Sequence, residues 1–111
     1  MPEPRLAAGI WVAAYLRRLG LAGIPAYVTR HGDDTAGSVM VKCATLDGRA
    51  GLWIREWDFE TDRRLWLRLS EAPEPEIDAE IARNIARDPD LWVIEVESRD
   101  GRTLLDEDGL A

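Results

Sequence analysis

The sequence predicts an α+β fold, an antiparallel four- to five-stranded sheet with two helices in the order α-β-β-β-β-α-β. Three observations carry this. A first segment rich in Ala and Leu is closed by Gly20, Gly23 and Pro25. Four short β-branched and aromatic runs follow, joined by connections too short for parallel crossovers. A second segment carries isoleucines spaced by four and leads into a further strand-like run.

The first helix is expected over residues 6–22, from composition and from its Gly and Pro stop signals. Between Leu6 and Leu16 no charged residue occurs on any side, and a helix apolar all round is normally covered on more than one flank. Strands are expected at Ile24–Arg30, Ser38–Leu46, Gly51–Phe59 and Arg64–Ser70. Asp47-Gly48 predicts a two-residue hairpin turn, because Gly supplies positive φ without strain. Residues 60–63 form the expected second loop. The second helix, residues 74–87, opens on Pro75 with Glu74, Glu76, Asp78 and Glu80 and closes on Arg83 and Arg87, which complements the helix dipole. Ile77, Ile81 and Ile85 make its buried stripe. Leu91–Glu97 is the next strand, and Asp100-Gly101 suggests a last hairpin into Thr103–Leu105. The tail Asp106-Glu107-Asp108 is expected to be solvated.

At 111 residues, with 46% hydrophobic and 32% charged residues, the chain suits one domain spanning 1–111 that builds its core without metals or disulfides. Cys43 is the single cysteine, which fits a reducing cytoplasm. The eleven apolar residues 6–16 fall short of the roughly 17–25 that a bilayer span needs. Arg17 and Arg18 stand where a signal-peptide cleavage site needs small residues. The net charge is −7, divided as +2 over residues 1–70 and −9 over residues 71–111. An acidic chain of this kind disfavours duplex nucleic acid, whose phosphates require a basic footprint.

Several stretches resemble a mainly alphaproteobacterial family known as domain of unknown function 1491. They are Trp11-Val12-x-x-Tyr15-Leu16-Arg17-Arg18, Gly23-Ile24-Pro25-Ala26, Gly32-Asp33-x-Thr35-Ala36-Gly37, Leu46-Asp47-Gly48-Arg49-Ala50 and residues 88–97, from Asp88-Pro89-Asp90 to Glu97. The resemblance covers essentially the whole chain. It implies a small bacterial cytoplasmic protein and assigns no activity or residue role.

No catalytic set is legible. His31 is the only histidine, and no Gly-x-Ser-x-Gly elbow surrounds Ser38, Ser70 or Ser98. Cys43 sits mid-strand, where a thiol acts as a small hydrophobe. His31-Gly32-Asp33-Asp34 could offer metal ligands to a small hydrolase, but closed zinc sites draw on four His or Cys groups, and adjacent aspartates usually cap a turn. Asp90 with Glu95 and Glu97 faintly matches a nuclease signature, without the lysine expected beside the second carboxylate. No cofactor-binding loop of either nucleotide type is present.

The sheet is more informative. With the two loops above, Lys42 lies opposite Trp53, Trp57 faces Trp66 and Arg55 faces Arg68. Alternation then gives one aliphatic face (Val39, Val41, Cys43, Leu52, Ile54, Leu65, Leu67, Leu69) and one aromatic-basic face. A one-residue change in either loop flips the assignment. Such a face can stack single-stranded bases, can be internal Arg–Trp stacking, or can form a protein interface. The expectation is a non-catalytic protein-interaction or self-associating module, with single-stranded nucleic-acid binding and metal-dependent hydrolysis as alternatives. Its candidate surface comprises Trp11, Tyr15, Leu19, Lys42, Trp53, Arg55, Trp57, Trp66 and Arg68. The partner is a second copy or another protein, since the unpolar flank of the first helix would otherwise face water. The competing expectation encloses that helix within its own chain, between the sheet, the second helix and the C-terminal hairpin.

Overall fold

The computed structural model describes residues 6–107, 109 and 110. The elements are α1 (Ala8–Leu21), β1 (Ala26–Arg30), β2 (Val39–Ala44), β3 (Arg49–Asp58), β4 (Arg63–Pro73), α2 (Glu74–Arg87) and β5 (Trp92–Glu97). This is the expected α+β order. Helix α1 ends because Gly23 takes φ +73°, which lets Ile24 N–H reach the Leu19 carbonyl at 2.9 Å and Gly23 N–H reach that of Gly20 at 3.1 Å. Paired bonds of this kind close a helix on a left-handed glycine, with an apolar contact across the turn. Here Leu19 and Ile24 supply it within one buried cluster.

The strands form one sheet in the order β1-β5-β2-β3-β4. The β2-β3-β4 stretch is the expected antiparallel meander. The sheet as a whole is mixed, because β5 runs parallel to β2 while pairing antiparallel with β1. The chain between β2 and β5 contains a hairpin and a helix, long enough for the crossover a parallel pair requires. Central position buries both faces of β2 and most of β5, which suits their near-continuous apolar runs.

Two loops set the faces. The first has three residues rather than two: Thr45 N–H donates to the Arg49 carbonyl at 3.2 Å, enclosing Leu46, Asp47 and Gly48. Leu46 and Gly48 both take positive φ, and Asp47 Oδ1 accepts from Thr45 Oγ1 (2.5 Å) and Arg49 N–H (3.1 Å). Those bonds, the Thr45 hydroxyl first, hold the Asp47 carboxyl below the usual range. The extra residue slips the register by one, so Val41 pairs with Trp53 and Lys42 with Leu52. The expected placement of Lys42 opposite Trp53 is therefore corrected. Val39, Val41 and Cys43 join the Trp53 side, and Met40 and Lys42 join Leu52.

The second loop spans residues 59–62, since Asp58 pairs with Arg63. The shift from the expected pairing is two residues, which preserves sides: Trp57 now pairs with Arg64 and Arg55 with Trp66. Trp53, Trp57 and Trp66 keep to one face, opposite Leu65 and Leu67, as expected. A bulge opposite the Leu52/Trp53 step leaves Leu69 as the extra β4 residue.

Each face has its own core. Helix α1 covers the Trp53 side with Val41, Trp92, Ile94 and Val96, and α2 covers the other with Leu52, Val93, Ile77 and Ile81. The expected strand at Thr103–Leu105 does not form, and Leu104 stands at φ +62°. Thr103, Leu104, Leu105 and Leu110 are buried against α1 instead. Asp106 and Glu107 are exposed as expected, and Asp108 lies outside the described residues.

Candidate interaction surface

The structure corrects the first part of the expected surface. Trp11, Tyr15 and Leu19 are 3%, 0% and 0% exposed within their own chain. The C-terminal segment covers the flank that the sequence left for a partner. Tyr15 OH donates to the Thr103 carbonyl at 2.8 Å. The Trp11 and Trp66 indole N–H groups both donate to the Leu110 carbonyl, at 3.3 and 2.7 Å. Burial first, and nearby Cys43 second, push the Tyr15 phenol far above its ordinary range.

The tryptophan-arginine face is largely consumed by the same packing. Trp11 stacks on Tyr15 at 4.9 Å and meets Trp66 at 5.3 Å. The Arg55 guanidinium lies 5.0 Å from the Trp11 ring and 5.4 Å from Trp66, a geometry in which the ring quadrupole attracts the cation. Trp53 and Trp66 are half-buried against this cluster. Only Trp57 and Arg68 of the expected sheet residues are exposed.

Lys42 is also removed from the surface, at 4% exposure on the α2 side. Its ammonium sits 2.8 Å from Glu74 Oε1, 2.8 Å from Asp78 Oδ1 and 2.9 Å from Glu95 Oε1. Burial disfavours the charge, but the three carboxylate bonds outweigh it and the lysine pKa ends above its ordinary value. This cluster ties α2 to β2 and β5. An ammonium so held donates and does not act as a base.

The His31–Asp34 segment is a turn. Asp33 Oδ2 accepts from the N–H groups of Thr35 (3.1 Å) and Ala36 (2.8 Å). Asp33 O accepts from the Trp92 indole at 2.8 Å. His31 Nε2 meets Asp34 Oδ1 at 2.9 Å, with its ring 4.0 Å from that of Trp92. The turn anchors α1, whose Ala8 and Gly9 N–H groups donate to the Thr35 and Asp34 carbonyls. Among the described residues no three His, Cys, Asp or Glu side chains are grouped to hold a metal. Cys43 is buried, and that burial raises its pKa, the reverse of an activated thiol.

A feature the sequence reading missed lies at the other end of the sheet. β3 and β4 have ten and eleven residues, against five or six in the other strands. Phe59, in the loop of this hairpin, is 88% exposed, with Trp57 beside the loop at 42% and Leu67 and Leu69 further along β4 at 45% and 47%. Asp58 caps the loop through the Thr61 hydroxyl (2.6 Å) and Glu60 N–H (3.3 Å). The available signal was Phe59 itself, an aromatic residue at a hairpin tip where polar residues are usual.

Beside Trp53 and Trp66 a cleft of about 600 Å³ runs along the C-terminal segment. Its rim carries Asp100, Asp106 and Glu107 against Arg102, a balance that repels a phosphate backbone. No helix among the described residues is long and apolar enough to cross a membrane.

The model of a family described as a protein of unknown function (DUF1491) matches residues 6–106. A crystal structure of a DUF1491 family protein from Caulobacter crescentus is 42% identical, with a TM-score of 0.79, covering 92% of this chain and 94% of that one. An NMR structure of a family protein from the same organism is 40% identical, with a TM-score of 0.79 and coverage of 95% and 96%. The solution structure of an A. tumefaciens protein is 30% identical, with a TM-score of 0.76 and coverage of 92% and 93%. No curated protein matches the chain.

Proposed function

The chain belongs to the DUF1491 family, and for it we propose the role of a non-catalytic, self-associating interaction module whose contact element is the β3–β4 hairpin. The observation that carries the reading is that Trp57, Phe59, Leu67 and Leu69 are all left in water along the two longest strands and the loop that joins them. Several large apolar side chains exposed on one element mark that element for contact. The absence of catalysis is supported by the chemistry of the reactive side chains. The Cys43 thiol is buried with a raised pKa, and His31 contacts Asp34 on an exposed turn. The buried single cysteine also supports a cytoplasmic setting.

Light scattering across a concentration series tests the reading. The wild-type chain is expected to gain mass toward a dimer, and Phe59→Asp to remain a monomer with its fold intact. A wild-type monomer at every concentration overturns it. Single-stranded nucleic-acid binding has weaker support, because Trp53, Trp66 and Arg55 are engaged internally and the adjoining rim is acidic.

A further inference from the structure

Resting on that reading, we infer that the partner is a second copy joined edge to edge along β4, antiparallel about a two-fold axis at Leu67. Among the described residues the sheet edges are β1 and β4. An edge strand presents unpaired N–H and C=O groups that template a further strand. β1 is short and carries an irregularity between Val28 and Arg30. β4 is eleven residues long, and its ladder with β3 is regular from Arg63 to Arg68, before the bulge at Leu69.

Side-chain pairing selects one register. Residues directly opposite in an antiparallel pair interact, and like charges there are destabilising. Preserving the two faces of the sheet requires a two-fold centre on a residue. A centre at Trp66 sets Arg64 against Arg68 of the other copy, a centre at Arg68 sets that arginine against itself, and a centre at Leu65 sets Arg63 against Leu67 and ends there, because β4 begins at Arg63. A centre at Leu67 sets Leu67 against Leu67, Leu65 against Leu69 and Trp66 against Arg68. Every directly opposed pair within the regular stretch from residue 66 to 68 is then apolar or cation-on-ring, and none is like-charged. Leu65 and Leu67 fall on the α2 side, and Leu67 is about half exposed there. On the opposite side Trp66 is half-buried, with Arg55 5.4 Å from its ring, and Arg68 of the second copy approaches it across the new ladder. The Arg68–Glu71 contact at 3.5 Å joins two exposed side chains, and such pairs are weak enough to rearrange.

Cysteine cross-linking of the full chain tests the register. Opposed residues in an antiparallel pair have Cβ atoms about 4.5–5.5 Å apart, close to disulfide range. Under mild oxidation Leu67→Cys is expected to cross-link to itself in most of the sample. Leu21→Cys, more accessible at 78% exposure against 45% for Leu67, is expected to stay uncoupled, and buried Cys43 adds no background. A second measurement uses charge: Leu67→Arg and Leu67→Glu should each lower self-association at least tenfold, and a one-to-one mixture should restore it. A chain that scatters as a dimer without the Leu67→Cys cross-link, or without rescue in the mixture, overturns the register and leaves the proposed function standing. A chain that stays monomeric overturns both.

Discussion

Helix α1 and the β3–β4 hairpin make opposite use of similar materials. Between Leu6 and Leu16 the helix carries no charge at all, whereas the hairpin holds Arg55, Arg63, Arg64 and Arg68 among its aromatic residues. Yet Trp11, Tyr15 and Leu19 are buried, and Phe59 and Trp57 are exposed. The difference lies in neighbours. α1 has the sheet beneath it and the Thr103–Leu110 segment over its flank, with Tyr15, Trp11 and Trp66 tied to that segment by hydrogen bonds. The hairpin runs past the end of α2, and its tip has only its own two strands. Apolar content says a segment seeks cover. The topology decides whether its own chain supplies it.

The comparison breaks most sharply at Trp11. Trp11→Ala removes a buried ring that also bonds the Leu110 carbonyl, and is expected to cost about 3–5 kcal/mol in urea unfolding. A loss below a third of that would show that the C-terminal segment is not a true cover for α1.

On the α2 side, Lys42→Met leaves Glu74, Asp78 and Glu95 facing one another without their cation. Removing one partner of a buried pair costs about 3–5 kcal/mol. Here the carboxylates are partly exposed, so a loss of about 2 kcal/mol at neutral pH is expected. The sign in alkali follows from the raised lysine pKa. The folded protein holds its proton more tightly than the unfolded chain, so the contribution is complete below the ordinary lysine pKa. It is lost as pH rises through the raised value. Wild type should therefore lose stability in strong alkali more steeply than Lys42→Met, and parallel curves would contradict the cluster's role.

Tyr15→Phe sharpens the same contrast by removing one hydroxyl while keeping the ring. Leaving the buried Thr103 carbonyl without that donor is expected to cost about 1–2 kcal/mol, and to increase hydrogen exchange in residues 103–110 before the rest of the core. At the hairpin the expectation reverses. Phe59→Ser should shift the unfolding free energy by no more than about 0.5 kcal/mol while weakening self-association. A larger stability loss would mean that the tip is packed within its own chain.

Much of this architecture was legible because local chemistry dictates it. The Gly23 stop, the isoleucine stripe of α2, the turn at Asp33 and the apolar run of β5 each follow from residues a few positions apart. The candidate surface was less legible. Trp11, Tyr15, Leu19 and Lys42 were expected outside and are inside, and Phe59, Leu67 and Leu69 were not singled out. One loop residue explains Lys42: with Leu46 inside the turn, every β2 side chain changes sides. The α1 residues were misplaced because the covering segment lies some 90 positions away in sequence, and Thr103–Leu105 read as a hairpin strand rather than as a cover for the helix.

What the sequence determined by itself is the set of elements, their order and the absence of a polar face on α1, since propensity, periodicity and turn residues act over a few neighbours. Only the tertiary structure decided that β5 enters between β1 and β2, that α1 is closed by the C-terminal segment, and that the hairpin outruns its cover. Those outcomes depend on which distant surfaces reach one another. The free energy of burying an apolar face is the same whichever segment covers it, so a pattern of apolar residues states the demand without naming what meets it.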